Sequence, residues 1–173
     1  KSGMPGLETK MLSRASADQR MGRAGRLEAG VCYRLWSEAA DRSLIPFTVP
    51  EIKRVDLTSL VLSLNQWGVR NLSDLKWLDQ PDKAVIDRAI DLLKSLEALN
   101  DNGITAFGKK MASLPMHPRL SHMVIKAEEI GHGTLALYIA ALLEERDILS
   151  LKPDQRTADL RLRIEALNLI KKN

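Results

Sequence analysis

The sequence predicts a mainly α-helical chain that opens on a short α/β stretch. Three observations carry this. Apolar residues recur at i, i+3, i+4 and i+7 from Leu57 to Leu167, the spacing of a helix with one buried face. A single short β-prone run, Val31-Cys32-Tyr33-Arg34-Leu35, precedes them. Glycine, proline and asparagine then cut the helical part into segments of ordinary length.

Gly3, Pro5 and Gly6 read as loop, and Thr9–Ser13 as a short extended run. Ser16 is the expected N-cap of a helix that Gly22 and Gly25 keep short. After the turn Glu28–Gly30, Val31–Leu35 reads as a strand, so this opening has the pattern of the edge of an α/β domain. Beyond Pro46 and Pro50 the period changes. Leu57, Leu60, Val61 and Leu64 line one helix that ends near Gly68. Asp82 caps a second, whose apolar face is Ile86, Ala89, Ile90, Leu93 and Leu96. Asn100–Gly103 breaks it, with room for a tiny strand pair, and Thr105 caps a third, shorter helix running toward Pro115. Two helices, a tight turn and a short helix suit a compact winged-helix module. After Pro118 the chain reads as part of a helical bundle, with faces Leu120/Met123/Val124/Ala127, Ala136/Ile139/Ala140/Leu143 and Leu160/Ile164/Leu167.

At 173 residues the chain is long enough to bury a core of one to two small domains. It begins at Lys1 without a charged-then-apolar leader, and no apolar run reaches membrane-spanning length. The expectation is a cytoplasmic piece of a longer protein with no membrane partner. Its one cysteine, Cys32, excludes a disulfide scaffold and a cysteine-based zinc site. Residues 1–36 hold seven Lys/Arg against three acids, a difference equal to the whole net charge of +4. Such a concentration favours a phosphate-bearing partner, although an arginine-rich solvated surface has the same composition.

The most informative segment is Gln19-Arg20-Met21-Gly22-Arg23-Ala24-Gly25-Arg26. Arg23 and Arg26, three apart on a helical turn, would project two planar, permanently charged forks to one side. That is suited to a phosphate chain gaining charge during transfer. Gly22 and Gly25 clear space beside them, and Gln19 both donates and accepts, so it can orient water. A plainer reading stands beside this one: Ser16-Ala17-Asp18-Gln19 fits a capping box, in which Gln19 only secures a helix start.

The longer segment Ser13-Arg14-Ala15-Ser16-Ala17-Asp18-Gln19-Arg20-Met21-Gly22-Arg23-Ala24-Gly25-Arg26 resembles motif VI of the DEAH-box ATP-dependent helicases of superfamily 2, with Met21 where the family usually has Ala. The likeness continues in family order. Val31–Leu35 resembles the strand closing the second RecA-like domain, and Pro50-Glu51-Ile52 with Arg54 and Leu57 the entry to the winged helix. Leu64-Asn65-Gln66-Trp67-Gly68, Trp77-Leu78-Asp79-Gln80-Pro81, Met111-Ala112-Ser113-Leu114 and Pro118-Arg119-Leu120 resemble the HrpB branch in particular.

The resemblance implies the end of a RecA-like domain over residues 1–37, a winged-helix domain over 38–113 and the start of a helical ratchet domain over 114–173. It also implies that Arg23 and Arg26 act as arginine fingers on the β- and γ-phosphates of ATP while Gln19 places the hydrolytic water. The Mg ion and most of the nucleotide would be held by the first RecA-like domain, a partner elsewhere in the parent chain. Single-stranded nucleic acid, RNA by family, is the implied substrate.

Other residues carry less. Gly103-Ile104-Thr105-Ala106-Phe107-Gly108-Lys109-Lys110 nearly matches a phosphate-binding loop, but Lys110 stands where a magnesium-binding hydroxyl belongs and a helix and turn precede it. It is expected to be winged-helix structure, with Lys109 and Lys110 solvated. His117, His122 and His132 lack the spacing of a metal set and suit surface or capping positions. Glu144 and Glu145 read as a solvated pair, and Trp36, Trp67 and Trp77 as core or interface packing rather than base stacking. The leading reading is therefore part of an ATP-dependent helicase whose 173 residues alone hydrolyse no ATP. The alternative is a non-catalytic winged-helix nucleic-acid-binding or adaptor module. That alternative calls for a more basic second helix than Lys83, Arg88 and Lys94 offset by Asp82, Asp87, Asp91 and Glu97. A third possibility is that the helical part docks an activating partner.

Overall fold

The structure, a computed structural model, describes residues 9–149 and 157–171. It is mainly helical, with a two-stranded sheet as the only sheet among the described residues. Contacts divide the chain at Val55/Asp56 into two compact units. The loop expected at Gly3–Gly6 lies outside the described residues.

The first unit holds α1 (Arg14–Ala24), α2 (Glu38–Ser43) and a 3-10 turn at Glu51–Lys53. The cap of α1 is Ser13, not Ser16: the Ser13 hydroxyl accepts the Ser16 N–H at 3.2 Å, so Ser16 lies inside the first turn. Both serines satisfy the local rule; Ser13 prevails because Arg14 N–H and Ala15 N–H are taken by the Ile45 and Pro46 carbonyls, which starts the helix earlier. Gly25 ends α1 as expected. Val31–Leu35 forms no strand among the described residues. Its side chains do not alternate in burial: Val31, Cys32, Tyr33 and Leu35 are all exposed and Arg34 alone is half-buried. A strand also requires a neighbour to take its backbone hydrogen bonds, and no described segment does so. The short α2, capped by Ser37 through the Ala40 N–H, was not foreseen because six residues are too few to show a period.

The second unit begins with α3 (Thr58–Gln66), which ends at Gly68 in the left-handed region (φ +90°). A 3-10 turn at Leu72–Asp74 leads to α4 (Lys83–Ser95). The antiparallel pair β1 (Leu99–Asn100) and β2 (Gly103–Ile104) follows, with Leu99 opposite Ile104, and then α5 (Ala106–Ala112). Asp82 occupies the N-cap position of α4 but its side chain makes no capping bond, whereas the Thr105 hydroxyl accepts the Gly108 N–H at 2.8 Å. Val61, Leu62, Leu64, Ala89, Leu93, Ala98, Leu99 and Met111 fill the winged-helix core.

The glycines of the phosphate-loop look-alike are structural. Gly103 adopts φ +106° in the hairpin turn, and a Cβ at Gly108 would overlap the Ala98 carbonyl oxygen, so α5 packs directly on the backbone before β1. Trp67 departs from expectation: it caps α3 and is 78% exposed. Trp77 is partly buried and donates its indole N–H to the Leu72 carbonyl at 2.7 Å.

Three helices complete this unit: α6 (Pro118–Glu129), α7 (Gly133–Glu144) and α8 (Leu160–Lys171). Val124, Ala136 and Ala140 form the buried seam between α6 and α7, joined by Leu120, Met123 and Ala127. His117 is the N-cap of α6, its Nδ1 accepting the Arg119 N–H at 3.2 Å. Glu144 is more than a solvated acid: its Oε1 accepts the His117 N–H at 3.0 Å, tying the end of α7 to the start of α6. Arg163 of α8 forks onto Asp147. Among the described residues no His/Cys/Asp/Glu cluster suits a metal, and no helix is long and apolar enough to cross a membrane.

Candidate nucleotide-contacting site

The residues singled out for phosphate chemistry all lie in the first unit, on α1 and the turn after it. A helix turns about 100° per residue. Arg14, Ala17, Asp18 and Met21 therefore fall on one face at i, i+3, i+4 and i+7. That face is the anchored one. An Arg14 Nη2 hydrogen donates to the Arg42 carbonyl at 3.4 Å, Ala17 is buried, and Asp18 and Met21 both meet Arg34. At the helix start Ser13 is buried, and its hydroxyl also accepts from the Thr48 hydroxyl at 3.0 Å.

Gln19 and Arg23, one turn apart, lie well away from Asp18 around the helix and are exposed. Arg23 occupies the last turn of α1. Arg26 does not share that helix, since it follows the C-cap Gly25 and belongs to the turn through Glu28. The two guanidinium groups are thus carried by a helix end and the turn beyond it rather than by successive positions of one helix. Gly25 and Gly30 make the turn compact: a Cβ at Gly30 would overlap the Ala24 carbonyl oxygen. Nothing lies within 4 Å of the place a Gly22 Cβ would occupy, so that flank of α1 is open to approach.

Arg34, read from sequence as part of the basic count and of the Val31–Leu35 run, organises the unit. Its Nη1 donates to Asp41 Oδ1 at 2.6 Å and its Nη2 to Asp18 Oδ1 at 2.6 Å, so one planar fork joins α1 to α2. Trp36 Nε1 donates to the same Asp41 oxygen at 2.9 Å. The Asp41 carboxyl is held below the usual carboxylate range, first by the Trp36 N–H and then by Arg34. Arg34 is held above its ordinary value by Asp41 and then Asp18. Met21 Sδ lies 3.9 Å from Arg34 Nη2, so the methionine packs over this cluster on the anchored face. Among the described residues Arg20, Arg23 and Arg26 engage no carboxylate, while the acids of α1 and α2 pair with Arg34 and Arg42. Outward guanidinium groups with no carboxylate partner among the described residues, Arg20 as well as Arg23 and Arg26, equip this part of the first unit to bind a polyanion.

The chain is similar in sequence to a segment of known ATP-dependent RNA helicases. It is 40% identical over 152 residues to the pre-mRNA-splicing factor ATP-dependent RNA helicase prp22 of Schizosaccharomyces pombe, covering 87% of this chain and 13% of that protein. It is 39% identical over 145 residues to the ATP-dependent RNA helicase HrpB of Escherichia coli, covering 84% of this chain and 18% of HrpB. The chain thus spans under a fifth of the length of these relatives. The helicase associated domain (HA2), winged-helix, family matches residues 89–116. Two solved structures of E. coli HrpB, one titled a DEAH/RHA helicase and one a DExH-box NTPase, superpose with TM-scores of 0.73 and 0.69 at 34% identity. They cover 91% and 95% of this chain, and it covers 21% of each of theirs.

Proposed function

We propose that this chain, homologous to the HrpB segment just described, is a working part of an ATP-dependent RNA helicase. In this reading Arg23 and Arg26 reach the β- and γ-phosphates of ATP and stabilise the charge that develops as the bond to the leaving group breaks. Gln19, one turn before Arg23, orients the attacking water. The nucleotide and its Mg ion are held mainly by another RecA-like domain of the parent enzyme, and ATP closes the cleft between the two. The winged helix and the following helices couple that closure to movement along single-stranded RNA.

The observation that carries this reading is that Arg23 and Arg26, at the end of α1 and in the turn after it, are exposed and, like Arg20, have no carboxylate partner among the described residues. Electrostatic stabilisation of the transferring phosphoryl group is the main task of such an enzyme, and an arginine finger supplies about 10³–10⁵ in rate. The alternative, a winged helix that reads duplex grooves through α4, is weakened by the fate of that helix's lysines. Lys83 pairs with Asp87 at 2.6 Å and Lys94 with Asp101 at 2.7 Å, which leaves Arg88 as the one cation of α4 without a carboxylate partner among the described residues.

The test is RNA-stimulated ATP hydrolysis by the full-length parent, intact and with Arg23→Ala or Arg26→Ala. The expected result is a loss of at least about 10³ in kcat with nucleotide binding largely retained. Near-normal turnover in both variants would put the binding-module alternative first.

A further inference from the structure

The Arg34 cluster joins three separate stretches of sequence, Asp18 on α1, Arg34 to Trp36, and Asp41 on α2, yet it takes no part in the chemistry above. Its members sit on the face of α1 opposite to its outward arginine. From Asp18 to Arg23 is five residues, which carries a side chain about 140° round a helix, whereas Gln19 and Arg23 are only about 40° apart. The rotation of α1 about its own axis thus decides where Gln19 and Arg23 point. Ser13 and the Ile45 and Pro46 carbonyls secure the start of the helix. Nearer its end, the polar contacts that oppose rotation are those of Asp18 and Met21 with Arg34.

We propose that Arg34 is a positioning residue for the phosphate-contacting face of α1. It sets the helix's rotation through Asp18, is itself held against α2 by Asp41, and meets Met21 Sδ at 3.9 Å. The proposal rests on the nucleotide-contacting reading of Gln19, Arg23 and Arg26 and deepens it. A fork is needed here because the two carboxylates come from different elements and each takes its own nitrogen; a lysine presents one point charge and cannot hold both at once in that geometry. Trp36, donating to the oxygen that also receives Arg34 Nη1, fixes the Asp41 end of the brace. Met21 therefore acts on the anchored side, at the i+7 position of the face that meets Arg34, and not at the nucleotide edge.

The experiment measures kcat and KM for ATP in the full-length parent with Arg34→Gln, Asp18→Asn and the double variant, with Arg23→Ala alongside and thermal unfolding of each. Misplacing a reacting group by about 1 Å costs on the order of 100-fold in rate, so each single variant is expected to lower kcat about 10- to 100-fold. KM is expected to stay within about twofold, because binding by the rest of the enzyme persists. Since both residues act through one contact, the double variant should be no slower than the slower single one. Unchanged kcat in Arg34→Gln, multiplicative losses in the double variant, or losses that vanish once the unfolded fraction is removed would each overturn the proposal. If Arg23→Ala collapses turnover while Arg34→Gln does not, the brace alone is wrong. If Arg23→Ala turns over normally, the nucleotide-contacting reading falls and takes the brace with it.

Discussion

Ser13 and Asp41 show how single side chains fix the first unit. The Ser13 hydroxyl caps α1, accepts from Thr48 and is buried, so Ser13→Ala removes a cap and leaves the Thr48 hydroxyl without its acceptor. Loss of such a cap costs about 1 kcal/mol, which a urea titration of the chain should show as a lower midpoint at unchanged slope. Asp41 gives the unit a pH dependence with a definite sign. Its carboxyl is held low in the folded state by Trp36 and then Arg34, so its contribution is fully present above the unfolded value, about 3.9. That contribution is lost as pH falls through the lower folded value. Unfolding of the first unit should therefore become easier below about pH 4, and Asp41→Asn should flatten that part of the profile. Met21 belongs to the same scale. From sequence its departure from the pattern it resembles could be seen but not interpreted; the structure puts its Sδ 3.9 Å from Nη2 of Arg34, thirteen residues away.

Among the elements, α4 and α5 carry the sharpest tests. α4 ends with Glu97 at φ +58°, and Ala98 N–H bonds back to the Leu93 carbonyl, the closure that usually places glycine at this position. Glu97→Gly should raise stability by about 0.5–1 kcal/mol despite loss of the exposed Lys126 contact, because a left-handed L-residue costs about 1–2 kcal/mol. Gly108→Ala should do the reverse. The new methyl group meets the Ala98 backbone, which cannot move aside cheaply, so a loss of about 1–3 kcal/mol is expected in the same titration. Both ends of the look-alike loop follow from these positions. A glycine in a hairpin turn and one on the face of α5 that packs against Ala98 happen to fall at phosphate-loop spacing. The periodic faces of α3, α4 and α6 were legible residue by residue: Val61, Leu64, Ala89, Leu93 and Val124 are buried as their spacing requires. The two-residue strands and Thr105 were legible too, through turn and cap chemistry that acts over a few residues.

For the whole molecule, the division at Val55/Asp56 separates the unit that carries the motif from the unit that carries the winged helix and the following helices. In the second unit Leu93 is fully buried in the winged-helix core, and Leu93→Ala should cost about 2–5 kcal/mol, seen as a lowered unfolding temperature. These 173 residues contain the proposed fingers but no phosphate-binding loop, so the chain by itself should show no ATP turnover above background in a phosphate-release assay. Arginine-dependent turnover by the isolated chain would contradict that expectation.

Sequence alone determined the helical class, the winged-helix order, most helix ends and the family likeness. All of these rest on short-range rules: backbone bonds from i to i−4, side chains meeting at i+3 and i+4, and caps within three residues. Tertiary structure decided what depends on a distant partner. Val31–Leu35 has the β-prone composition of a strand but no neighbour among the described residues to make it one. Ser13 rather than Ser16 caps α1 because the Ile45 and Pro46 carbonyls arrive there from thirty residues on. Arg26 leaves the helix that its spacing from Arg23 suggested, because Gly25 closes α1 first. Arg34 became a brace only when the fold brought carboxylates from sixteen residues before it and seven after it to the two nitrogens of one fork.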